Sequence, residues 1–448
     1  MKKVITYGTF DLFHEGHRQI LIKSKKLGDY LIVGVTSDYF DIQRGKMNVE
    51  QSLLERIENI KKSGLADEII VEEHEAQKAV DIQKHNVDVF TIGSDWRGKF
   101  DYLKEYCEVV YLDRTPEISS TSLRDGQYGI VQLGFIGTGY MALRLAHEMK
   151  FVSGVQPKAV FDPNMENSTN FAKKHGFESA FNDYDAFLSN VDAVYIASPT
   201  KTHFAYAQKA LIMGKHILCE SPMTLSAGEA TELFNLAENR KLVLMEAIRT
   251  AYAPAFTSLL AIAKNGHIGE IKDVEAAVTR LIPHISNTSE YDADVGGSFS
   301  TLASTTLLPI IKILGDNYSD LNFVFFNNDN NVDLYAKAYF KYNGAIASVK
   351  TGIGVKSEGQ LLISGTKGYI LVKSPWWLTK AFEVCYEDTS ENEHFSSPFP
   401  GYGMRFELAD FIRNIRSPKQ RNYKLSRTDS IELARIMEKF LYERKGTQ

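Results

Sequence analysis

The chain has 448 residues, a length that suggests about three domains rather than one. Its 44% hydrophobic content can bury sizeable cores, and its 24% charged residues are ordinary for a soluble protein. The net charge of -5, without any dense block of Lys or Arg, gives no reason to expect nucleic-acid binding. We therefore expect small molecules as partners.

Three cysteines, Cys107, Cys219 and Cys385, lie far apart and lack the spacing of metal ligands, so we expect reduced and buried thiols. The chain begins directly with a strand-like run and shows no signal-peptide pattern. No apolar run reaches the roughly 18 residues of a membrane span. These features predict a cytoplasmic protein that does not bind a membrane.

The first motif is a pair of histidines behind a short hydrophobic run. Residues 4–7 (VITY) are β-branched or aromatic and predict a buried strand that ends at Gly8. His14 and His17, three apart on a first helical turn, would point beyond the strand's carboxyl end, where open parallel sheets bind ligands. Amides at the helix start attract phosphate, and Gly16 would permit its close approach. Two surface histidines are the alternative interpretation.

Hydrophobic runs then alternate with helical stretches. We expect helices over 18–27, 76–85 and 100–106, and strands over 30–36, 68–71, 87–92 and 108–112. Such alternation predicts an α/β fold with a parallel, doubly wound sheet and right-handed crossovers. The strand ends bring HEGH, GSDW and RTPEISST to one edge of the sheet.

The stretch TYGTFDLFHEGH (6–17) resembles the nucleotide-binding signature of cytidylyltransferase-like nucleotidyltransferases. GSDWRGKF (93–100), YLKEYCEVVYL (102–112) and RTPEISSTSLR (114–124) are similar to the glycerol-3-phosphate cytidylyltransferase family, rather than to a related adenylyltransferase. The resemblance implies an HxGH Rossmann-like domain over residues 1–127. It also implies transfer from CTP to a polyol phosphate, first of all glycerol 3-phosphate, with Mg²⁺. CDP-polyols suggest a route to teichoic acid or another surface polymer.

This resemblance also implies roles for individual residues. The catalytic candidates are His14, His17, Lys46 and Arg114. The candidates for substrate binding are Thr9, Phe10, Asp11, Arg44, Arg56, Asp95, Trp96, Thr115, Ser119, Ser120 and Thr121. Asp11 is also the candidate Mg²⁺ ligand, because carboxylates and substrate phosphates usually hold this ion. The alternatives are solvated loop charges for Arg44, Lys46 and Asp11, and plain packing for Trp96. Glu117 stands where the family usually has a glycine. This departure puts in doubt whether the loop has the family's backbone conformation and whether the acceptor substrate is the same.

A second nucleotide-binding pattern follows a polar connection at 125–129 (DGQYG). Residues 130–136 predict a strand that leads into GTGYMA (137–142) and a helix over 140–149, which is the dinucleotide-binding fingerprint. A second strand over 157–161 ends at Asp162, the expected carboxylate for a ribose 2′-hydroxyl. Because a carboxylate repels a 2′-phosphate, NAD is favoured over NADP.

The stretch IASPTKTHFAYAQKALIMGKHILCESPMTLS (196–226) resembles the Gfo/Idh/MocA oxidoreductases. The similarity continues through GHIGEI (266–271), GGSFSTLASTTLLPIIKILG (296–315) and GMRFELADFIRNI (403–415). It implies an NAD(P)-binding Rossmann domain over 128–251 and an α+β mixed-sheet domain over 252–448, with strands such as 334–342 and 345–351. The candidate cofactor-binding residues are Gly137, Gly139, Tyr140, Met141, Asp162, Ser198, His203 and Glu220.

Hydroxyls replace the ionisable groups that this second family uses. Active members carry a lysine where this chain has Ser221, and an aspartate and a histidine or tyrosine where it has Thr301 and Thr305. Hydroxyl pKa values lie far from neutral, so this domain is expected to have lost or altered its redox chemistry. In the alternative, His203, His284 or Tyr291 has taken over the proton, although packed side chains are commoner at such positions.

Three interpretations of the whole chain remain open. The first is a cytidylyltransferase with a non-redox second domain. The second is a bifunctional enzyme that reduces a keto or aldehyde phosphate with NAD(P)H before cytidylyl transfer. In the third, the second domain binds NAD or sets a homo-oligomer through its large sheet, as dimer or tetramer. Aromatic residues in 375–377 and 395–402 suggest either sugar stacking or a loop that packs its own side chains.

Overall fold

The computed structural model describes residues 1–113, 129–283, 289–416 and 424–446. Their contacts divide the chain into two compact units. Unit 1 comprises Met1–Leu133 and Leu145–Asn190, and unit 2 comprises Gly134–Arg144 and Val191–Gln448. The described residues contain sheets of five, six and eight strands, which confirm the expected α/β class.

The first sheet has five parallel strands in the order β3-β2-β1-β4-β5. The strands are β1 (Lys3–Gly8), β2 (Tyr30–Thr36), β3 (Glu68–Glu72), β4 (Val89–Gly93) and β5 (Glu108–Leu112). The helices are α1 (Glu15–Lys25), α2 (Asp38–Gln43), α3 (Leu53–Ser63) and α4 (Gln77–His85). Because β1 is central, the residues that follow it occupy the middle of the ligand-binding edge.

Hydrophobic side chains cover both faces of this sheet. Successive residues of a strand point to opposite faces. Val4 therefore packs with Leu21 of α1 and Ile60 of α3, whereas Ile5 packs with Ile82 of α4. The two layers fix the central strand, and with it the loop that carries the histidine motif.

The stretch expected as a helix over 100–106 forms a shorter 3-10 turn, Asp101–Glu105. The Tyr111 hydroxyl donates to the Asp101 carboxylate at 2.7 Å and accepts from the Phe100 amide at 3.2 Å. These bonds tie the start of the segment to β5. The tighter helix type is usual in such short connections.

Within unit 1, the loop after α2 also contacts a segment beyond residue 129. The Met47 amide donates to the Phe151 carbonyl at 2.5 Å, and the Ser153 amide donates to the Met47 carbonyl at 2.8 Å. These bonds form a parallel bridge between Met47 and Val152. The bridge fixes one point of the loop.

The second sheet has the order β11-β10-β9-β6-β7-β8. Its strands are β6 (Val131–Ile136), β7 (Val155–Phe161), β8 (Ser179–Phe181), β9 (Ala193–Ile196), β10 (His216–Glu220) and β11 (Leu244–Ala247). The helices are α5 (Tyr140–Met149), α6 (Met165–His175), α7 (Tyr184–Leu188), α8 (His203–Ile212) and α9 (Ala227–Asn239). The strand, turn and helix over 131–149 match the predicted dinucleotide-binding pattern.

The third sheet is mixed and has the order β13-β14-β15-β12-β16-β17-β18-β19. Its strands are β12 (Ile271–Thr279), β13 (Asp320–Asn327), β14 (Asp333–Lys341), β15 (Ile346–Gly352), β16 (Leu361–Gly365), β17 (Gly368–Val372), β18 (Ala381–Tyr386) and β19 (Glu393–Ser396). The helices are α10 (Arg249–Tyr252), α11 (Pro254–Lys264), α12 (Ser298–Leu314), α13 (Met404–Arg416) and α14 (Arg427–Gly446). The expected strands over 334–342 and 345–351 correspond to β14 and β15.

A buried arginine anchors the last helix, α14. The side chains of Arg444 and Asp333 are fully buried, with Nη1 and Oδ1 2.7 Å apart. Arg444 also donates to the Gly296 carbonyl at 2.5 Å. Asp333 accepts from the Ser298 hydroxyl and the Phe299 amide, both at 2.8 Å. One ion pair thus joins α14 to β14 and to the start of α12.

No helix in the described ranges is long and apolar enough to cross a membrane. Cys107, Cys219 and Cys385 are free thiols. Cys219 and Cys385 are buried as expected, whereas Cys107 is partly exposed.

Replacement of Arg444 by Met should lower the free energy of unfolding of unit 2 by about 3–5 kcal/mol, because the Asp333 carboxylate would stay buried without its cation. Urea denaturation followed by circular dichroism measures the loss. Arg427→Met is the control on the same helix. Arg427 pairs with a Glu238 side chain that is 62% exposed, so its loss should cost less than about 1 kcal/mol. Equal losses would contradict the anchoring role of the buried pair.

Candidate active site and dinucleotide-binding turn

The two histidines of the first motif cap helix α1. His14 is the N-cap residue, and its Nδ1 accepts a hydrogen bond from the Gly16 amide at 3.1 Å. Nδ1 of His17 accepts from the His14 amide at 3.5 Å, which completes a reciprocal cap. The imidazoles stack with ring centroids 3.9 Å apart. Because each Nδ1 is an acceptor, a neutral ring carries its proton on Nε2. Nε2 of His14 lies 3.4 Å from Nε2 of Gln156, so this nitrogen already has a neighbour in the protein.

Aromatic rings hold His17 in place. The centroid of the Phe10 ring lies 5.4 Å from that of His17 in an edge-on contact, and that of Phe13 lies 5.9 Å away. Phe10 and Leu12 have φ values of 54° and 48°, a strained conformation that clusters at functional sites. Burial lowers the pKa of His17 well below its usual value, and the neighbouring His14 lowers it further. His17 is therefore neutral at pH 7.

Gly16 makes room for the His14 ring. A Cβ atom at residue 16 would lie 2.8 Å from Cε1 of His14, so a side chain there would displace the imidazole from its cap. The sequence suggested a different reason for this glycine, the close approach of a phosphate. The observed packing shows instead that Gly16 leaves room for the ring of His14, a catalytic candidate.

The predicted cations Arg44 and Lys46 lie at and just after the end of α2. Arg44 donates to Asp41 through Nε at 3.0 Å and through Nη2 at 2.7 Å. Lys46 donates to the Lys150 carbonyl at 2.8 Å. Burial lowers the pKa of Lys46 to about 8, and the charge of Arg44 contributes. The charge of Lys46 in turn helps to lower the pKa of His17, so the two groups lie close together.

The expectation that Arg56 contacts a phosphate needs correction. The Arg56 side chain is fully buried. Its Nη1 donates to the carbonyls of Thr9 at 2.7 Å and Thr36 at 2.9 Å, and its Nη2 donates to Asp38 at 2.5 Å. The Thr9 hydroxyl also donates inward, to Asp41 at 3.0 Å. Arg56 therefore ties the ends of β1 and β2 together instead of facing a ligand.

Asp11 is similarly occupied by the protein. Its buried carboxylate accepts from the Gln51 amide at 2.9 Å and from the Glu50 amide at 3.1 Å and 3.2 Å. These bonds order the turn before α3. No group of three or more His, Cys, Asp or Glu residues in the described ranges is placed to hold a metal ion. The Asp11 oxygens are thus used within the protein, and the role of Asp11 as a Mg²⁺ ligand stays a prediction.

Asp95 and Trp96 follow β4 at the same edge of the sheet, in a 3-10 turn. The Trp96 ring lies 6.0 Å from the Phe100 ring, and Nζ of Lys150 lies 4.3 Å from its centroid. These contacts account for Trp96 by packing. Nucleoside binding by Asp95 and Trp96 stays a prediction.

One buried cation in this region was missed by sequence reasoning. Lys78 on α4 is buried, pairs with Glu72 at the end of β3, and lies 5.0 Å from the centroid of the Tyr7 ring. Its charge is coupled to that of Arg44, as expected for neighbours at one edge. A lysine in a polar helical stretch is usually solvated, so the sequence did not indicate that Lys78 is buried.

Some predicted residues lie outside the described ranges. They are Arg114, Thr115, Glu117, Ser119, Ser120, Thr121 and His284. Their assigned roles stay predictions.

The glycine turn between β6 and α5 fits a dinucleotide. Gly137 has a φ of 93°, and a Cβ there would lie 2.8 Å from the Ala197 carbonyl oxygen, so the turn requires glycine. At Gly139, no atom of the described chain lies within 4 Å of an added Cβ. This open space adjoins Tyr140 and Met141, the first residues of α5, where such turns place a pyrophosphate.

Asp162 directly follows β7, as expected for the carboxylate that meets an adenosine ribose. It accepts from the Asn164 amide at 3.0 Å. This bond orients the carboxylate at the start of the turn into α6. Its contact with a ribose stays a prediction.

The expected cofactor contact of His203 needs correction. The His203 ring is buried, with Nδ1 2.9 Å from the Pro222 carbonyl and Nε2 2.8 Å from the Ser198 carbonyl. Backbone oxygens thus occupy both ring nitrogens. Burial lowers the pKa of His203, and a neutral ring donates to only one of these carbonyls. The side chain links the turn before α8 to the loop after β10.

The positions where hydroxyls stand in place of ionisable groups lie at the end of β10 and in α12. Glu220 ends β10, accepts from the Tyr195 hydroxyl, and is followed by Ser221. Burial raises the pKa of Glu220 to about 7. Thr301 donates to the Gly297 carbonyl at 2.7 Å, so its hydroxyl is used within α12. Tyr291, the suggested substitute, donates to a backbone carbonyl at 2.7 Å.

The aromatic loops pack mainly on themselves. Trp376 is fully buried and donates to the Ala277 carbonyl at 2.8 Å. The buried Phe399 meets Phe406 edge-on, with ring centroids 5.0 Å apart. Packing therefore accounts for these rings better than sugar stacking.

Two family models match the chain. Residues 5–126 match the model "Cytidylyltransferase-like", and residues 131–248 match "Oxidoreductase family, NAD-binding Rossmann fold". A glycerol-3-phosphate cytidylyltransferase of Bacillus spizizenii is 54% identical over 124 residues, which cover 28% of this chain and 95% of that protein. One of Staphylococcus aureus is 42% identical over 139 residues, 29% of this chain and 97% of that protein.

The rest of the chain is similar to dehydrogenases. A trans-1,2-dihydrobenzene-1,2-diol dehydrogenase of Bos taurus is 26% identical over 315 residues, which cover 67% of this chain and 90% of that protein. A 3-ketoreductase from Actinomadura kijaniata, crystallised with NADP and TDP-benzene, has a TM-score of 0.61 at 23% identity, over 69% of this chain and 96% of that one. The structure of levoglucosan dehydrogenase with NADH and levoglucosan has a TM-score of 0.62 at 20% identity. The match covers 70% of this chain and 97% of that one. These structural matches establish the fold.

His17 should make stability depend on pH. Because its folded-state pKa lies below the usual 6.5, the unfolded chain binds a proton that the folded chain does not as the pH falls through 6.5. Between pH 7 and pH 5.5 this group should cost up to about 1 kcal/mol of stability. Urea unfolding of wild type and His17→Gln at both pH values measures this loss of stability. The loss between the two pH values should be smaller in the variant by the contribution of His17. The same loss in both proteins would contradict a neutral His17 in the folded chain.

Proposed function

Since the chain belongs to the glycerol-3-phosphate cytidylyltransferase family through its N-terminal segment and carries a fused Gfo/Idh/MocA-type oxidoreductase domain, we propose that it transfers a cytidylyl group from CTP to a polyol phosphate. The first candidate acceptor is sn-glycerol 3-phosphate, and the products are a CDP-polyol and pyrophosphate. The stacked His14 and His17 carry this proposal, because their neutral rings bear Nε2–H groups at the start of α1, beyond the end of β1. Bound CTP would have to share Nε2 of His14 with Gln156, or replace it. A CDP-polyol would serve the synthesis of a surface polymer.

In this reaction a phosphate oxygen of the acceptor attacks the α-phosphorus of CTP, and the bond to pyrophosphate breaks. Negative charge then collects on the oxygen that leaves. Two fixed N–H donors stabilise that charge without reorganisation, and the protein otherwise contributes by positioning. The lowered pKa of His17 suits this role, since a neutral ring donates a hydrogen bond without giving up a proton.

The cations around the histidines divide between the two substrates in this proposal. Lys46, coupled to His17, would hold the triphosphate. Arg44, whose side chain is partly exposed, would hold the acceptor phosphate, since guanidinium groups match phosphate oxygens. Lys78 is buried and paired with Glu72, so it is assigned to neither substrate. Mg²⁺ would neutralise nucleotide phosphates when bound. Because the Asp11 oxygens accept backbone hydrogen bonds, no residue is assigned to the metal.

Two observations assign the fused domain to the nicotinamide-binding oxidoreductases. They are its glycine turn and its match to the family model. We propose NAD rather than NADP, because Asp162 would accept from a ribose 2′-hydroxyl and repel a 2′-phosphate. We further propose that the domain binds its cofactor without reducing a substrate for the transferase. Ser221, Thr301 and Thr305 offer hydroxyls where proton transfer needs groups with pKa values near neutral. A homo-oligomer through the large sheet stays a prediction.

His17→Ala should lower kcat/KM for CDP-glycerol formation at least ~100-fold, because one donor to the developing charge is lost. Mass spectrometry of the products from CTP, Mg²⁺ and sn-glycerol 3-phosphate measures the rate, and circular dichroism checks the fold. His85→Ala is the matched control, since His85 ends α4 and lies 3.5 Å from Glu68, away from the histidine pair. Normal turnover by His17→Ala would refute the assignment.

The full chain should not oxidise NADH when given dihydroxyacetone phosphate, CTP and Mg²⁺, and it should form no CDP-glycerol in that mixture. The reason is the hydroxyl set at positions 221, 301 and 305. The near-ultraviolet absorbance of NADH follows the reaction, and a parallel tube with sn-glycerol 3-phosphate proves that the transferase is active. NADH oxidation coupled to CDP-glycerol would establish the bifunctional enzyme instead.

A further inference from the structure

Arg249 lies at the ligand-binding edge of the second sheet. It is the first residue of α10, and it follows Ala247, the last residue of β11, by two positions. Ala247 is the register partner of Glu220 at the end of β10. Helix α10 packs against α13, which also packs against β10. The guanidinium therefore lies at the carboxyl ends of parallel strands, where such sheets bind ligands.

The side chain of Arg249 has an unused hydrogen-bond donor. Its Nη1 is buried, and within the described chain nothing accepts a hydrogen bond from it. Burial lowers the pKa of Arg249, and the charge of nearby Arg144 lowers it further. A buried cationic donor without an acceptor is unfavourable in the folded state, so it calls for a functional explanation.

Arg144 is held beside it by two tyrosines. Its guanidinium carbon lies 4.0 Å from the ring centroids of both Tyr140 and Tyr402. Its Nε is buried and, like Nη1 of Arg249, finds no acceptor among the residues described. Stacking fixes the plane of the guanidinium and leaves its charge available. The tyrosines are 51% and 39% exposed, so this sandwich extends to the surface.

Two carboxyl groups, Glu220 and Glu407, act on Arg249 through their charges. The pKa of Glu220 is about 7 because the group is buried, so it is only partly ionised at neutral pH. The buried Nη1 of Arg249 and Nε of Arg144 nevertheless have no acceptor in the described chain.

We propose that Arg249 and Arg144 form a site for the phosphate group of a small phosphate monoester. Guanidinium groups bind phosphate through paired, charge-assisted hydrogen bonds. The choice of a phosphate monoester over a carboxylate rests on the proposed function of the N-terminal segment, whose acceptor is such a monoester. The pyrophosphate of a dinucleotide offers the same oxyanion chemistry, so the test must separate the two sources.

Equilibrium dialysis of the full chain with labelled sn-glycerol 3-phosphate, without CTP, tests the site in wild type, Arg249→Gln and the control Arg427→Gln. In Arg249→Gln, one class of glycerol phosphate sites should weaken at least about tenfold. NADH affinity, measured by fluorescence, and CDP-glycerol synthesis should not change. The control should match wild type throughout. Arg249→Lys keeps the charge but not the planar fork, and it should recover part of the affinity.

Three results would overturn the proposal. The first is unchanged glycerol phosphate binding by Arg249→Gln. The second is loss of NADH binding with intact monoester binding, which would assign the arginines to a dinucleotide pyrophosphate. The third is weaker binding of D-glycerate alone, which would indicate a carboxylate site. A purely structural role for Arg249 would instead lower Tm in Arg249→Gln, whereas a ligand-binding role predicts a Tm at or above that of wild type. CDP-glycerol synthesis in the same preparation judges the proposed function separately.

Discussion

The hydrogen bond from the Gly16 amide to Nδ1 of His14 determines the chemistry available at the first site. It places the imidazole at the start of α1 and leaves Nε2 to carry the proton of the neutral ring. His17 repeats the arrangement one turn later, and the Phe10 ring keeps it there. The central position of β1 then puts both donors in the middle of the sheet edge. A helix cap, normally a local stabilising device, here orients two catalytic candidates.

Features encoded by local geometry could be predicted from the sequence. The strands, the capped helix and the glycine turn follow from hydrophobic periodicity and residue spacing over a few positions. Arg56 and Asp11 were assigned to ligands because partners such as the Thr9 carbonyl and the Gln51 amide are distant in sequence and cannot be inferred from the motif. Arg56, for example, donates to the Thr9 carbonyl 47 residues away. Burial of Lys78 was hidden for the same reason, since only packing brings it to Glu72 and Tyr7.

The second unit combines a glycine turn of the dinucleotide-binding type with a serine and two arginines near the end of β10. Ser221 follows the strand at the position where the resemblance to Gfo/Idh/MocA oxidoreductases implies a lysine, and the nearby cations are guanidinium groups. A guanidinium stays charged in proteins and does not exchange protons during a reaction. Arg249 can therefore attract and orient an anion, but it cannot replace a proton donor. This composition favours recognition over redox chemistry.

The bridge between Met47 and Val152 joins two segments that match different family models. Lys46 adds a side-chain bond to the same region through the Lys150 carbonyl. In this chain, splitting the gene between the two segments would strip backbone partners from the loop that carries a catalytic candidate. The segment that matches the oxidoreductase model thus supplies hydrogen-bond partners to a loop of the segment that matches the cytidylyltransferase model.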